Sequence, residues 1–455
     1  MSAALMLTPL LLSLLATEAA APASGEIETE DGDILYEEPV ALTLEERVRA
    51  LEAKQQPSSA ELATPPPVQG VKTGLSVTPF GYADFGFFAP TGTGVGYVQD
   101  FGNRVFPKYA GRYAWVFLGD ILGPAVNSRG EVADLGDAPG VRRFDGIRSK
   151  GAPGFILNEV TFGIRAAFTE DVLFSAAVNF TPRTGVDFAL GDTLDVDLVQ
   201  LEWTPFDDKR TSFFVGKFDS VLGIEYRERR AIQRFGITPT LLARYTVGTP
   251  LGVKARTKLF ADDLLTIALA FTNGSSTQER FHFYDETDSN AGKTFSGRVA
   301  IRPPFWGELE LGLSGMYGPQ DRARDSLDAM WFVGVDLLWN KGPVTVKGQY
   351  LRGFSKGKPL DDVYTLNLNL GGYLEVDWLI TSVIGVLARA ELRDALVSLG
   401  TERLYLTRSW RGVVGVRLTF NENVSLKAEY LKNGEYGGVP EFANDVFTSS
   451  LVLSY

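Results

Sequence analysis

The chain has no cysteine among its 455 residues and a single histidine, His282. The first absence removes disulfides and any thiolate-based zinc site. The second leaves one imidazole, too few for a zinc centre without several other ligands nearby. Beyond the N-terminus there is no run of about 18 apolar residues, so crossing a membrane with helices is excluded. Positive charge does not dominate either: 44 Lys and Arg face 56 Asp and Glu, a net charge of −12 that argues against general nucleic-acid binding. No glycine fingerprint for phosphates or dinucleotides follows a strand and opens a helix; Gly92-Thr-Gly94-Val-Gly96 reads as turn chemistry.

What the chain does have is glycine (48), phenylalanine (30) and tyrosine (16). Its mean hydropathy is −0.00, the average expected of strands alternating between an apolar and a polar face. The tail is the most telling stretch. Phe447, Ser449, Leu451, Leu453 and Tyr455 share one face of a strand that ends on an aromatic residue. Phe447, Leu451, Leu453 and Tyr455 together read as the closing strand of an outer-membrane β-barrel, which must pair with the first, and as the signal read by the barrel-assembly machinery.

Upstream, residues 1–23 read as a secretory signal peptide, with Ala21-Pro22-Ala23 as the cleavage site and no Lys or Arg before the apolar core. Residues 24–41 form an acidic segment without ordering residues. Leu44, Val48 and Leu51 make one apolar stripe over 42–56, either a fraying linker helix or a short coiled coil that trimerises in the periplasm. Residues 57–74, with Pro65-Pro66-Pro67, are a stiff linker.

From Leu75 the period becomes 2, and 75–455 reads as an all-β, antiparallel transmembrane barrel of about sixteen strands, within a range of 14–18. Tight turns such as Glu170-Asp171, Lys341-Gly342 and Asn421-Glu422-Asn423 alternate with longer connections, including 89–153, 219–250 and 395–407. Ala114-Trp115-Val-Phe117-Leu118 in the first of these is a candidate extra strand. Aromatic residues flank both kinds of connection: Phe260, Trp339, Trp378, Phe420 and Tyr455 at the tight turns, Phe155, Phe295, Tyr317 and Phe447 at the opposite strand ends. Amphipathic rings prefer the headgroup level, so two girdles are expected.

Alternation also sorts the charges. Lys254, Arg256 and Lys258 share a face, where exposure to lipid would cost each about 2–4 kcal/mol at mid-membrane. They are therefore expected in the lumen, as are Arg298, Arg302, Arg389, Arg393, Arg411, Arg417 and Lys427. Glu308, Glu310, Asp336, Glu375 and Asp377 form an acidic wall. The 219–250 connection is far longer than a hairpin needs. Folded inward, it would bury Ile224, Phe235 and Ile237 and place Arg227, Arg229, Arg230, Arg234 and Arg244 at the constriction, where such cations favour anions.

A barrel of this size with an inward third long loop resembles the general porins. Phe214-Val-Gly-Lys-Phe218, Gly223-Ile-Glu225 and the Arg-rich run after them resemble the phosphate-selective porin O/P family. That resemblance implies a homotrimer with an arginine ladder drawing anions inward. The many lumen acids and the low isoelectric point depart from it.

The expectation is a bacterial outer-membrane porin with its N-terminal segment in the periplasm, in contact with outer-membrane lipid and lipopolysaccharide. It passes small anionic or neutral hydrophilic solutes, needs no cofactor and catalyses nothing. Two alternatives stand beside it: a phosphate- or polyphosphate-specific porin, and a plugged surface or adhesion barrel that transports nothing. Asp285, Glu286 and Asp288 are a weak calcium candidate.

Overall fold

The computed structural model of the protein describes residues 75–90, 95–100, 112–117, 124–126, 132–134, 154–180, 194–260, 263–274, 291–304, 307–319, 328–357, 364–399, 402–436 and 445–455. The signal peptide, acidic segment, coiled coil and linker expected over 1–74 lie outside these residues, as do Asp285, Glu286 and Asp288.

Sixteen antiparallel strands close into a barrel. The first is β1 (Ser76–Pro90). Four short strands follow it, β2 (Val95–Asp100), β3 (Arg112–Phe117), β4 (Pro124–Val126) and β5 (Val132–Asp134). They form a separate sheet in that order. Residues 114–117 of the candidate extra strand fall in β3, so they add nothing to the barrel wall. The wall resumes with β6 (Gly154–Ala167), β7 (Val172–Phe180), β8 (Leu194–Trp203), β9 (Thr211–Lys217) and β10 (Leu251–Leu259). It continues through β11 (Leu265–Thr272), β12 (Thr294–Ile301), β13 (Glu308–Pro319), β14 (Ala329–Lys341) and β15 (Val344–Gly357). β16 (Tyr364–Leu379), β17 (Ile384–Leu399), β18 (Glu402–Asn421), β19 (Val424–Glu435) and β20 (Val446–Ser454) complete it.

The tail closes the ring as its pattern predicts. β20 pairs with β1, setting Leu453 opposite Ala83 and Leu451 opposite Phe85. Tyr455 N–H donates to the Gly81 carbonyl at 3.1 Å, and Gly81 N–H returns the bond at 3.4 Å. One connection differs from expectation. β17 and β18 run on to Leu399 and from Glu402, so the long loop read over 395–407 shrinks to 400–401. Asp394 and Arg408, expected as the ends of the two strands, lie within them and are register partners.

The burial pattern is inside out. Leu313 and Val335 are more than half exposed on the outer face, whereas Arg393 and Lys427 are almost fully buried. Such a surface suits lipid outside and polar contents inside. Phe260, Trp378, Phe420 and Tyr455 are exposed at the tight-turn end, and Phe155, Phe295 and Tyr317 at the other. The two aromatic levels expected from sequence are therefore present.

Candidate functional site: the lumen and the loop across it

The connection between β9 and β10 folds into the barrel. Apart from a 3-10 turn at Glu225–Glu228 and one helical turn at Ala243–Thr246, its backbone N–H and C=O groups need partners wherever water is excluded. The wall supplies them. Gly223 N–H donates to Ser314 Oγ on β13 at 3.1 Å, and Ile224 N–H to Gln349 Oε1 on β15 at 3.1 Å. Leu241 N–H donates to Glu391 on β17 at 2.6 Å, and Ala231 N–H to Glu159 on β6 at 3.4 Å. On β19, Glu429 accepts from the N–H groups of Ile237 (2.6 Å) and Thr238 (3.0 Å), while Lys427 Nζ donates to the carbonyls of Ala231 (2.7 Å) and Gly236 (3.0 Å). Partners on β6, β13, β15, β17 and β19 stand around the ring, so the loop crosses the lumen.

Apolar packing reinforces the crossing. Leu222, Leu242 and Tyr245 are buried, with the Tyr245 ring 5.7 Å from Phe332 of β14. Ala231 packs with Tyr82 and Val452 beside the closing seam. Ile224 is buried as expected, while Phe235 and Ile237 are half-buried. Glu225 staples the loop to itself, accepting from Thr240 N–H (2.9 Å) and Thr240 Oγ1 (2.8 Å). Burial pushes its carboxyl up to about 7, against the lowering effect of the Thr240 bonds.

The loop arginines are matched by acids and carbonyls. Arg227 pairs with Glu310 at 2.8 Å. Arg229 pairs with Asp197, and with Asp219 at 3.0 Å; Arg230 pairs with Asp197 at 3.1 Å. Arg234 donates to the carbonyls of Glu228 (3.2 Å), Arg229 (2.7 Å) and Ile237. Burial alone would lower the Arg229 guanidinium; Asp197 and Asp219 outweigh it and hold it well above its usual value. The side chain of Arg244 lies outside the described residues.

The wall charges interleave where two opposed walls were expected. Arg298 lies between Glu310 (2.6 Å) and Asp336, and Arg302 also reaches Glu310 at 2.7 Å. Arg389 bridges Glu375 (2.9 Å) and Glu391 (2.7 Å). Asp377 is 2.9 Å from Lys347. The reason is physical: a charge withdrawn from water is tolerated only beside its opposite. Glu308 stands apart from the buried acids, exposed at the start of β13 and accepting from Asn340 at 3.3 Å. Arg411 donates to Asn433 at 2.9 Å, Arg417 stacks on Phe235 at 5.7 Å, and Arg393 lies 5.9 Å from the Tyr245 ring.

The β10 row is the more open set. Lys254 lies 4.5 and 4.7 Å from the rings of Phe214 and Phe218. Arg256 pairs with Glu202 at 3.2 Å and Lys258 with Asp263 at 2.7 Å, their side chains 32% and 38% exposed. Both line a recess of about 460 Å³ beside the turns 168–171 and 204–210, with Arg210, Glu202, Thr204 and Ser212.

Sequence reasoning missed Lys347, Asp197 and Glu159. Lys347 holds Glu228 of the loop (2.7 Å) and Glu375 of the wall (2.5 Å) at once. Its signal was available: Thr345, Lys347 and Gln349 alternate on one face of β15.

No family model and no curated protein matches the chain. Among solved structures it is similar to the outer-membrane channel DcaP of Acinetobacter baumannii, at 10% identity and a TM-score of 0.48, covering 85% of this chain and 99% of that one. OmpF of Salmonella typhi, solved with daunomycin, matches at 12% identity and 0.47 over 85% and 99%. OmpT of Vibrio cholerae, an outer-membrane protein, matches at 10% and 0.46 over the same shares.

Proposed function

We propose that the protein is a porin of the bacterial outer membrane, passing small hydrophilic solutes and ions by diffusion through a lumen restricted by the 219–250 loop. The observation that carries this reading is a closed sixteen-strand barrel with apolar outer and charged inner faces, crossed by that loop. A homotrimer, contacts with outer-membrane lipid and lipopolysaccharide, and insertion by the barrel-assembly machinery belong to the same proposal.

Selectivity is expected to be mild. Arg227, Arg229 and Arg230 are held by Glu310, Asp197 and Asp219, so they offer little to a passing anion. The remaining anion preference rests on Arg256, Lys258 and Arg210 at the recess. Phosphate specificity would need open arginine forks and is the weaker variant. Single-channel recording in planar bilayers tests the proposal. Discrete open steps with a modestly anion-weighted reversal potential support it, and silence at high protein load overturns it.

A second reading, a plugged barrel that conducts nothing, is favoured by one observation: the loop is bonded to wall strands on every side of the lumen. The same recording separates the two. If only loosening the loop restores conductance, the plug is the resting state.

A further inference from the structure

One row on the outer wall breaks its apolar pattern. On β17, Ala388, Ala390 and Leu392 are exposed and alternate with the buried lumen residues Arg389, Glu391 and Arg393. Asp394 continues the outward face. Arg408 of β18 is its register partner and pairs with it at 3.6 Å. From β16, Asn369 donates to Asp394 at 3.4 Å. Asn369 is the extra residue of a bulge, because the register steps from Leu368 opposite Ala395 to Leu370 opposite Asp394. Across the bulge on β15 stands Arg352, between Leu351 and Gly353, whose partners are Gly371 and Leu368. Arg352 is exposed and makes no hydrogen bond or ion pair among the described residues. Four polar side chains thus stand on four consecutive strands, and a bulge is a common device for re-aiming a side chain.

The contrast with the rest of the wall gives the row its meaning. The outward positions of β12 to β14 carry residues such as Val299, Leu313, Val333 and Val335, and the charge there, Lys341, stands at the tight-turn end of β14. An arginine facing lipid costs about 2–4 kcal/mol at mid-membrane and about 0–1 near the interface. Arg352 lies 8 residues beyond Val344, the first of β15. At about 3.3 Å per residue and a tilt of roughly 45°, that is about 19 Å up an apolar band about 25 Å tall. Phe354, paired with Trp331 two residues further on, marks the aromatic level just above it. The row therefore sits where acyl chains give way to headgroups.

Its chemistry selects the occupant. Two guanidiniums and one amide flank a single carboxylate, leaving a net positive charge, and guanidinium forks match phosphate oxygens bidentately. Exposed Leu392, Trp410 and Tyr350 lie beside the row and suit the acyl chains below a headgroup. We infer that Arg352, Asn369, Asp394 and Arg408 form a docking site for a phosphate borne on a lipid headgroup. This rests on the membrane-barrel reading above and adds to it a partner and four residues.

The test uses the full-length barrel folded in detergent and incubated with diphosphoryl lipid A or its dephosphorylated counterpart, with retained lipid counted by native mass spectrometry. The expected result is roughly tenfold better retention of the phosphorylated lipid, the size of one lost charge-assisted contact. That preference should vanish in the double variant R352Q/R408Q and persist in part in R352K. Equal retention of both lipids by the native protein, or unchanged preference in R352Q/R408Q, overturns the site. Displacement of the lipid by inorganic phosphate alone overturns it in favour of a small-anion site. Loss of oligomer in R352Q/R408Q with lipid retention unchanged overturns it in favour of a contact between copies of the chain. Bilayer recording of both proteins separates the two levels. Conductance in both with no lipid preference sinks the site alone, whereas failure of the native protein to insert sinks the barrel reading and the site with it.

Discussion

Lys427 and Glu429, two residues apart on the lumen face of β19, hold the same stretch of loop by opposite means. Lys427 Nζ gathers the carbonyls of Ala231 and Gly236, and Glu429 gathers the N–H groups of Ile237 and Thr238 and the Thr238 hydroxyl at 2.7 Å. The side-chain period of 2 in a strand puts both on one face, so a single strand can satisfy both kinds of orphaned backbone group. That arrangement fixes segment 231–238 to the wall although the segment itself has no helix or strand.

Replacing Glu429 with Ala should release this segment. Two backbone donors would lose a charged acceptor, at about 1–3 kcal/mol each. The expected outcome is larger or noisier single-channel conductance and faster protease cleavage within 231–241. Unaltered conductance and cleavage would show that β19 does not anchor the loop.

Arg229→Ala should act first on stability. It would leave Asp197 buried beside Arg230 alone, and breaking a buried pair costs about 3–5 kcal/mol. The double variant R229A/D197N should cost clearly less than the sum of the single variants, because the partners are coupled. Urea unfolding in detergent measures both. Reversal potentials of R229A should shift toward cations, since Asp219, with a quarter of its side chain exposed, loses a neutralising neighbour.

Glu225 makes the loop sensitive to pH. Its folded carboxyl is pushed up to about 7 from an ordinary value of 4.5, and burial is the main cause. A raised carboxyl favours the folded loop fully below the ordinary value and loses that contribution as pH rises through the folded one. The loss is roughly 3 kcal/mol at most. Amide exchange over 240–247, compared between the native protein and E225Q, should show protection falling between about pH 4.5 and 7 only in the native protein.

Gly223 occupies a backbone conformation with φ of +74°, and a Cβ there would lie 2.2 Å from the Gln349 amide. Gly223→Ala should strain the loop by about 1–3 kcal/mol and displace the Ile224 bond to Gln349. The expected readout is a lower unfolding midpoint with the barrel's circular dichroism preserved.

The closing seam depends on a second glycine. A Cβ on Gly81 would meet the Tyr455 ring at 2.5 Å and the Thr161 carbonyl at 2.7 Å. Gly81→Val should therefore lower the yield of folded barrel, by an overpacking cost of about 1–3 kcal/mol. Folding yield on cold gel electrophoresis against the native protein checks this.

Much of this was legible in the chain before any coordinates. The period of 2 located all sixteen wall strands, and the tail announced its pairing with the first, because alternation is a local property that burial on one face imposes. The same rule turned Lys254, Arg298, Arg389 and Lys427 inward. It failed at 395–407, read as a long connection although β17 runs on to Leu399 and β18 starts at Glu402. It also could not rank the loop arginines, since an Arg facing water and an Arg facing Asp197 look alike in one dimension.

The sequence by itself determined that this is a barrel and where it closes. Only the tertiary structure decided which charges meet. Arg229 is separated from Asp197 by 32 residues and Glu429 from Thr238 by 191, and no local pattern encodes such encounters. They arise because closing the ring brings distant strands around one loop, and buried charge must then find its opposite. The change in meaning is substantial. Arginines that read as an open anion constriction are held in ion pairs, and the more open cations of the lumen face are Arg256 and Lys258 of β10.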